Sequence, residues 1–173
     1  MLDKINNWID QTLKDYLDQT VSCGQFCSQF NGFYPAKFLS NSSYVIVDKL
    51  PKPDFPELRQ AGFGNFIDMD VAGITYKNTY FIKKGHENDI ALHFHELVHV
   101  IQWKHLGAVP FIQRYMEEIK KFGYQNAPLE KMAYELQDHF SKRRQPINIP
   151  DYVKSKIYQS HIADTDLFII HKK

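Results

Sequence analysis

The feature that most constrains this chain is the apolar stretch from Ile90 to Ile101, which carries His95-Glu96-Leu97-Val98-His99 in its middle. Ile90, Leu92, Phe94, Leu97, Val98 and Ile101 leave no broad polar face, so the stretch reads as a largely buried helix. Residues four apart on a helix share a face one turn apart, and this brings the imidazoles of His95 and His99 side by side. Glu96 is one step from His95, so its carboxylate projects to the flank of that face. Three ionisable side chains inside an apolar helix are costly unless something pairs with them. A metal ion held by the two imidazoles meets that demand, with Glu96 placed to take a proton from a metal-bound water. The alternative is a pair of core histidines bonded to backbone or carboxylates. The H-E-x-x-H string arises by chance more easily in a chain with eight histidines, so the buried context carries the weight.

A catalytic zinc ion usually takes three protein ligands. His93, His105, Glu130, Glu135 and His139 are the candidates for the third. His93 lies two residues before His95 and points nearly the opposite way on a helix. His105 is ten residues past His95, too far along the axis to share a metal. The helix expected after Pro128 has Leu129, Met132, Ala133, Leu136 and Phe140 on its core face. Glu130 flanks that face, whereas Glu135 and Asp138 are nearer the back, so the wheel favours Glu130 over Glu135. Glu130 reads equally as an acid in the first turn of a helix, where the dipole favours it.

The rest of the chain predicts helix, then strands, then helices, an α+β order. Residues 2 to 19 repeat apolar positions at three- and four-residue steps and predict an amphipathic helix. Residues 22 to 43 read as a helix end and a packed loop. Tyr44-Val45-Ile46-Val47 predicts a strand, and Pro51, Pro53 and Pro56 break regular structure after it. Phe66, Ile67, Met69 and Val71 predict another strand. Ile74-Thr75-Tyr76 and Thr79-Tyr80-Phe81-Ile82 predict a hairpin turning at Lys77-Asn78. Asn88 or Asp89 caps the histidine helix, and Gly107 stops it. Further helices are expected from Pro110 to Phe122 and from Pro128 to about Arg144, with a short helix in the tail, whose Leu167 to Ile170 patch is expected to pack on the body. No linker or repeat divides the sequence, so residues 1–173 are expected to form one domain with its core at about 60–145.

The formal net charge of +1 gives no electrostatic case for nucleic acid, and Lys142-Arg143-Arg144 reads as a solvated helix end. No apolar run suits a membrane span and no secretory signal is seen, which predicts a cytoplasmic chain without membrane partners. Cys23 and Cys27 have C-x-x-x-C spacing, which fails a thioredoxin-like reading and fits two small buried residues. Oligomeric state is left open.

Residues 60 to 140 resemble a known family. His95-Glu96-Leu97-Val98-His99 followed by Val100 and Gln102, a Gly123-Tyr124 step, and Pro128-Leu129-Glu130-Lys131-Met132-Ala133-Tyr134 look like the zincin-like metallopeptidase domains of the glutamate-zincin type. A set of bacterial domains with an H-E-L-x-H-V-x-Q pattern is the nearer likeness. The resemblance implies zinc as cofactor, His95, His99 and Glu130 as its ligands, and Glu96 as general base. It also implies a small antiparallel or mixed sheet against the active-site helix, with an extended substrate pairing between Ile74 and Ile82. Tyr134 stands where several such proteins carry an Asp that supports the first histidine, and a phenol can take that bond. Tyr134 or Tyr124 is alternatively an oxyanion donor. The expected function is a zinc metallopeptidase acting on a peptide or protein. A zinc-binding regulatory or interaction module without turnover, and hydrolysis of a non-peptide amide or ester, are the competing readings.

Overall fold

The computed structural model describes the backbone of residues 1–170 and the side chains of residues 1–159. The N-terminal segment forms α1 (Leu2–Asp15), whose Ile5 and Ile9 are buried, and then a single 3-10 turn at Leu17–Gln19. The short strand β1 (Val21–Ser22) and a 3-10 turn at Cys23–Phe26 open the stretch expected to be a packed loop. It continues through α2 (Ala36–Ser40) into β2 (Ser43–Val47), as the β-branched run predicts.

A broken helical segment follows: α3 (Pro56–Leu58), a wide turn at Arg59–Phe63, and α4 (Gly64–Asp68). The expected strand at Phe66, Ile67, Met69 and Val71 is therefore incorrect. The Lys52 ammonium donates to the carbonyls of Phe66 and Ile67, each at 3.2 Å, and to that of Met69. Three carbonyls can converge on one cation at the end of a helical turn, where they are otherwise unpaired, but not in a strand ladder. Gly62, at φ 97°, supplies the left-handed residue that breaks the segment.

The hairpin forms as expected, from β3 (Gly73–Tyr76) and β4 (Thr79–Lys83). Lys77 takes φ 59° in the two-residue turn, the left-handed geometry such tight hairpins require. Among the described residues the strands make a four-stranded sheet in the order β1-β2-β4-β3. β2 and β4 run parallel, and residues 48–78 make the crossover that joins them. The other two pairings are antiparallel, so the sheet is mixed. Alternation along β4 sends Tyr80 and Ile82 to one side, with Phe94, Leu97 and Ile101, and Phe81 to the other, with Ile5, Ile9 and Val45.

The long helix α5 (Ile90–Leu106) is capped by the Asp89 carboxylate, which accepts from the Leu92 amide at 3.2 Å, and ends at Gly107 with φ 83°. Helices α6 (Ala108–Phe122) and α7 (Pro128–Ser141) follow, α7 three residues shorter than expected. The last helix, α8 (Ile149–Ile170), is longer than the short one expected, and its Ile149, Val153 and Ile157 join the core around α5. The expected packing of Leu167 to Ile170 falls outside the described side chains. Cys23 is buried and Cys27 half-buried, both as free thiols. Burial pushes the Cys23 thiol up to about 12 against a hydrogen bond with Tyr80, so it is an inert packing residue. The α+β class holds, and no helix among the described residues is long and apolar enough to cross a membrane.

Candidate metal centre

α5 lies between both core clusters, so residues 93 to 103 are all buried, the polar ones included. His95 is 3% exposed, Glu96 3% and His99 5%. The two imidazoles face one another, with Nε2 to Nε2 at 3.1 Å. Glu130, 2% exposed on the first turn of α7, closes the group. Its Oε2 lies 3.3 Å from His95 Nε2 and its Oε1 3.4 Å from His99 Nε2. Together His95, His99 and Glu130 form a buried group that could hold a metal ion.

The donor set fits a metal on two further grounds. Atoms about 2.0–2.1 Å from a tetrahedral zinc stand roughly 3.3 Å apart, close to the separation of the two Nε2 atoms, and Glu130 sets one carboxylate oxygen at a similar distance from each ring. Glu130 Oε2 is also buried without a hydrogen-bond partner, since its approach to His95 lacks hydrogen-bond alignment. A buried carboxylate oxygen left in that state is costly unless a cation answers it.

The other ring nitrogens fix the tautomers. His95 Nδ1–H donates to Gln137 Oε1 at 3.0 Å, and His99 Nδ1–H donates to Gln102 Oε1 at 2.7 Å. Gln102 is oriented in turn because its Nε2 donates to the Leu129 carbonyl at 3.0 Å. Both Nε2 atoms therefore face the group, placed to ligate a metal once His99 gives up its proton. Glu130 Oε1 accepts from Tyr115 at 2.5 Å. Glu118 of α6 accepts from the Leu129 amide at 2.8 Å and holds the start of α7 in place.

The electrostatics follow from this packing. Burial alone would raise Glu130, but the positive charge of His99 and the close approach of the His95 and His99 rings hold it far below the usual carboxylate range. Burial would lower His99, and Glu130, with help from Glu96 and Gln102, lifts it to about 9. Burial raises Glu96, while His95, His99 and Thr75 pull it back part of the way.

Glu96 stands apart from the donor group. Thr75 Oγ1 of β3 donates to its Oε2 at 2.6 Å. Its carboxyl carbon packs over Gly73, where an added Cβ would come within 2.9 Å of it. Only glycine admits this approach, which makes Gly73 part of the site. Gly73, His95, Glu96, Tyr124, Tyr134 and Gln137 line an open cleft beside the group.

No family model, no curated protein and no solved structure matches this chain.

The candidate residues read from the sequence sort cleanly. The structure brings His95, His99 and Glu130 together and sets Glu96 beside them. Glu135 is exposed, and Asp138 is exposed in a pair with Lys142. His93 points away as expected, with Nε2–H donating to the Glu87 carbonyl and Nδ1 accepting from Tyr80, each at 2.8 Å. His139 donates to the Gln145 carbonyl, away from the group. The support expected from Tyr134 for His95 comes from Gln137 instead; the Tyr134 ring packs against the imidazole at 4.5 Å, tilted by 58°, without bonding its Nδ1. Gln137 lies seven residues past Glu130, two turns along the same helical face, and that spacing was the signal available for it. Gln102 lies three residues past His99 and carried the same kind of signal. Thr75, Gly73 and Tyr115 reach the site only through tertiary packing.

Proposed function

We propose that this chain is a zinc-dependent hydrolase, most economically a peptidase of the zincin-like kind that its histidine helix resembles. The observation that carries the reading is the contrast between two buried carboxylates. Glu130 faces both imidazoles. Glu96 neighbours His95 in sequence yet is held off the donor group by Thr75 and seated on Gly73. A purely structural metal site has no use for a second buried acid beside it.

A zinc ion held by His95, His99 and Glu130 supplies Lewis acidity, which polarises a carbonyl and brings the pKa of water toward neutrality. Glu96 then has the task of a general base. Burial favours its protonated form, so it can take a proton and pass it to a leaving amine. Thr75 occupies one carboxylate oxygen and leaves the other for this transfer. Gln102 and Gln137 keep the imidazoles turned so that neither ring competes for the proton.

An extended substrate suits the cleft. β3 is an edge strand, while Thr79 to Ile82 belong to the interior strand β4, so within the expected Ile74 to Ile82 stretch the free edge is that of β3. Ladder alternation turns the backbone groups of Gly73 and Thr75 outward. Trp103 Nε1 donates to the Thr75 carbonyl at 3.2 Å, which leaves Gly73, beside Glu96, as the place for a peptide to pair. Tyr124 and Tyr134, hydrogen-bonded to one another, line the same cleft, and this pair offers a hydroxyl donor to a developing oxyanion.

The test compares the wild type with Glu96→Gln on a broad peptide library, with bound metal measured in both. The expected result is cleavage by the wild type, a fall of roughly 100- to 10,000-fold in the variant, and equal metal content. Metal without cleavage in either protein would replace the hydrolase with a metal-binding module. A wild type that binds no metal would remove the reading altogether.

A further inference from the structure

A second cavity meets the candidate site at Glu96. It shares Val71, Gly73, Glu96 and Tyr124 with the open cleft, and His99 and Glu130 also line it. Its volume is about 100 Å³. A dry apolar cavity of roughly 150 Å³ takes up benzene, so a space of this size suits one side-chain-sized group. Its walls come from separate parts of the chain: Ile9 of α1, Phe66 and Ile67 of α4, Ile74 of β3, and Ile112 and Met116 of α6.

The polar groups in those walls are already engaged. Tyr76 donates to the Pro51 carbonyl at 2.7 Å, and Trp103 donates to Thr75. Tyr115 donates to Glu130, and Thr75 to Glu96. The walls therefore offer an incoming group apolar surface, with polarity concentrated at the end formed by Glu96, His99 and Glu130. Protein interiors seldom keep space of this kind unfilled, because each lining atom forfeits dispersion contacts. A water chain inside would find few partners.

We propose that this cavity binds one apolar group, an aromatic or branched aliphatic side chain, of a molecule whose reacting bond lies over Glu96. The proposal rests on the hydrolase reading for its orientation, and on the cavity alone for its chemistry. It makes the N-terminal helix, which the family resemblance leaves uncovered, and the 56–68 segment the builders of substrate preference.

The probes are hydroxamates, which chelate zinc, titrated into zinc-loaded protein by calorimetry. Acetohydroxamate carries no tail, 4-methylpentanohydroxamate and 3-phenylpropanohydroxamate carry branched and aromatic tails, and dodecanohydroxamate carries a long acyl chain. Affinity is expected to rise roughly 10- to 100-fold from acetohydroxamate to 3-phenylpropanohydroxamate. Met116→Trp fills the cavity and is expected to erase that gain while leaving acetohydroxamate unchanged. Ile67→Trp serves the same purpose if the first variant fails to fold. Equal affinity for all tails in the wild type, or a gain that survives filling, overturns the proposal. A further large gain for dodecanohydroxamate overturns the side-chain assignment in favour of an acyl chain. The zinc-free protein is examined separately with toluene, by the NMR shifts of the Ile9, Ile74 and Ile112 methyls. Shifts confined to these methyls uphold the cavity's chemistry even if no hydroxamate binds, in which case only the metal reading falls. Their absence overturns the cavity itself.

Discussion

Gly73→Ala tests how Glu96 is held. The new methyl would stand 2.9 Å from the Glu96 carboxyl carbon, about half an ångström short of ordinary contact, and closer still to Oε1. Gly73 lies outside the left-handed region, so its backbone accepts alanine without strain. Elsewhere such a change would stabilise by about 0.4–1 kcal/mol through the unfolded chain. Here the carboxyl must shift toward the cleft and cavity it borders, against its hydrogen bond to Thr75 and its packing on β3. Overpacking of this kind costs about 1–3 kcal/mol. Strain in the Thr75–Glu96 hydrogen bond adds up to about 1 kcal/mol more. The expected net loss is about 1–3 kcal/mol, read from urea unfolding of the metal-free protein. The decisive comparison repeats the substitution in a Glu96→Ala background, where the clash is gone and the change should be neutral or stabilising. If Gly73→Ala costs the same in both backgrounds, the contact between Gly73 and Glu96 is not what sets the cost, and the reasoning fails.

Three further outcomes follow from the same geometry. Gln102→Ala and Gln137→Ala, which free the Nδ1 atoms of His99 and His95, should each weaken metal binding about 10- to 100-fold in a chelator competition, whereas Glu135→Ala should not. In the metal-free protein, His99 is raised from its ordinary 6.5 to about 9, so its contribution to stability is full below about 6.5 and is lost as pH rises through about 9. Glu130 is depressed, so its contribution is full above the ordinary carboxylate pKa and is lost as pH falls below it. Glu96 is raised, so it also removes stability as pH climbs. Urea unfolding across pH should thus show this group most favourable between about 4.5 and 6.5, and calorimetry in buffers of different ionisation heat should show metal binding near pH 7 releasing a proton. Asp89→Ala removes the cap of α5 and should cost about 1 kcal/mol in thermal or urea unfolding.

The parts of this fold that were legible in the sequence are those specified locally. Asp89 and Gly107 bound α5, Lys77-Asn78 turns the hairpin, and Gly123 stops α6 because each residue sets its own backbone geometry. The helix period placed His95 and His99 together and put Glu130 beside the core face of α7, which is where it packs. The 64–71 stretch misled because its apolar residues suit a strand, while the deciding contact comes from Lys52, more than ten residues away. Nothing local announces that β2 pairs in parallel with β4 across residues 48–78. Thr75 was legible as a strand residue, but neither it nor Gly73 was legible as a keeper of Glu96, since that role exists only once β3 lies across α5.

The most direct test of the metal centre is elemental analysis of purified wild type, Glu130→Ala and Glu135→Ala by inductively coupled plasma mass spectrometry. One zinc per chain is expected in the wild type and in Glu135→Ala, with loss of the metal in Glu130→Ala. A wild type without stoichiometric metal, or a Glu130→Ala protein that retains it, would contradict the assignment of His95, His99 and Glu130 as the donor group.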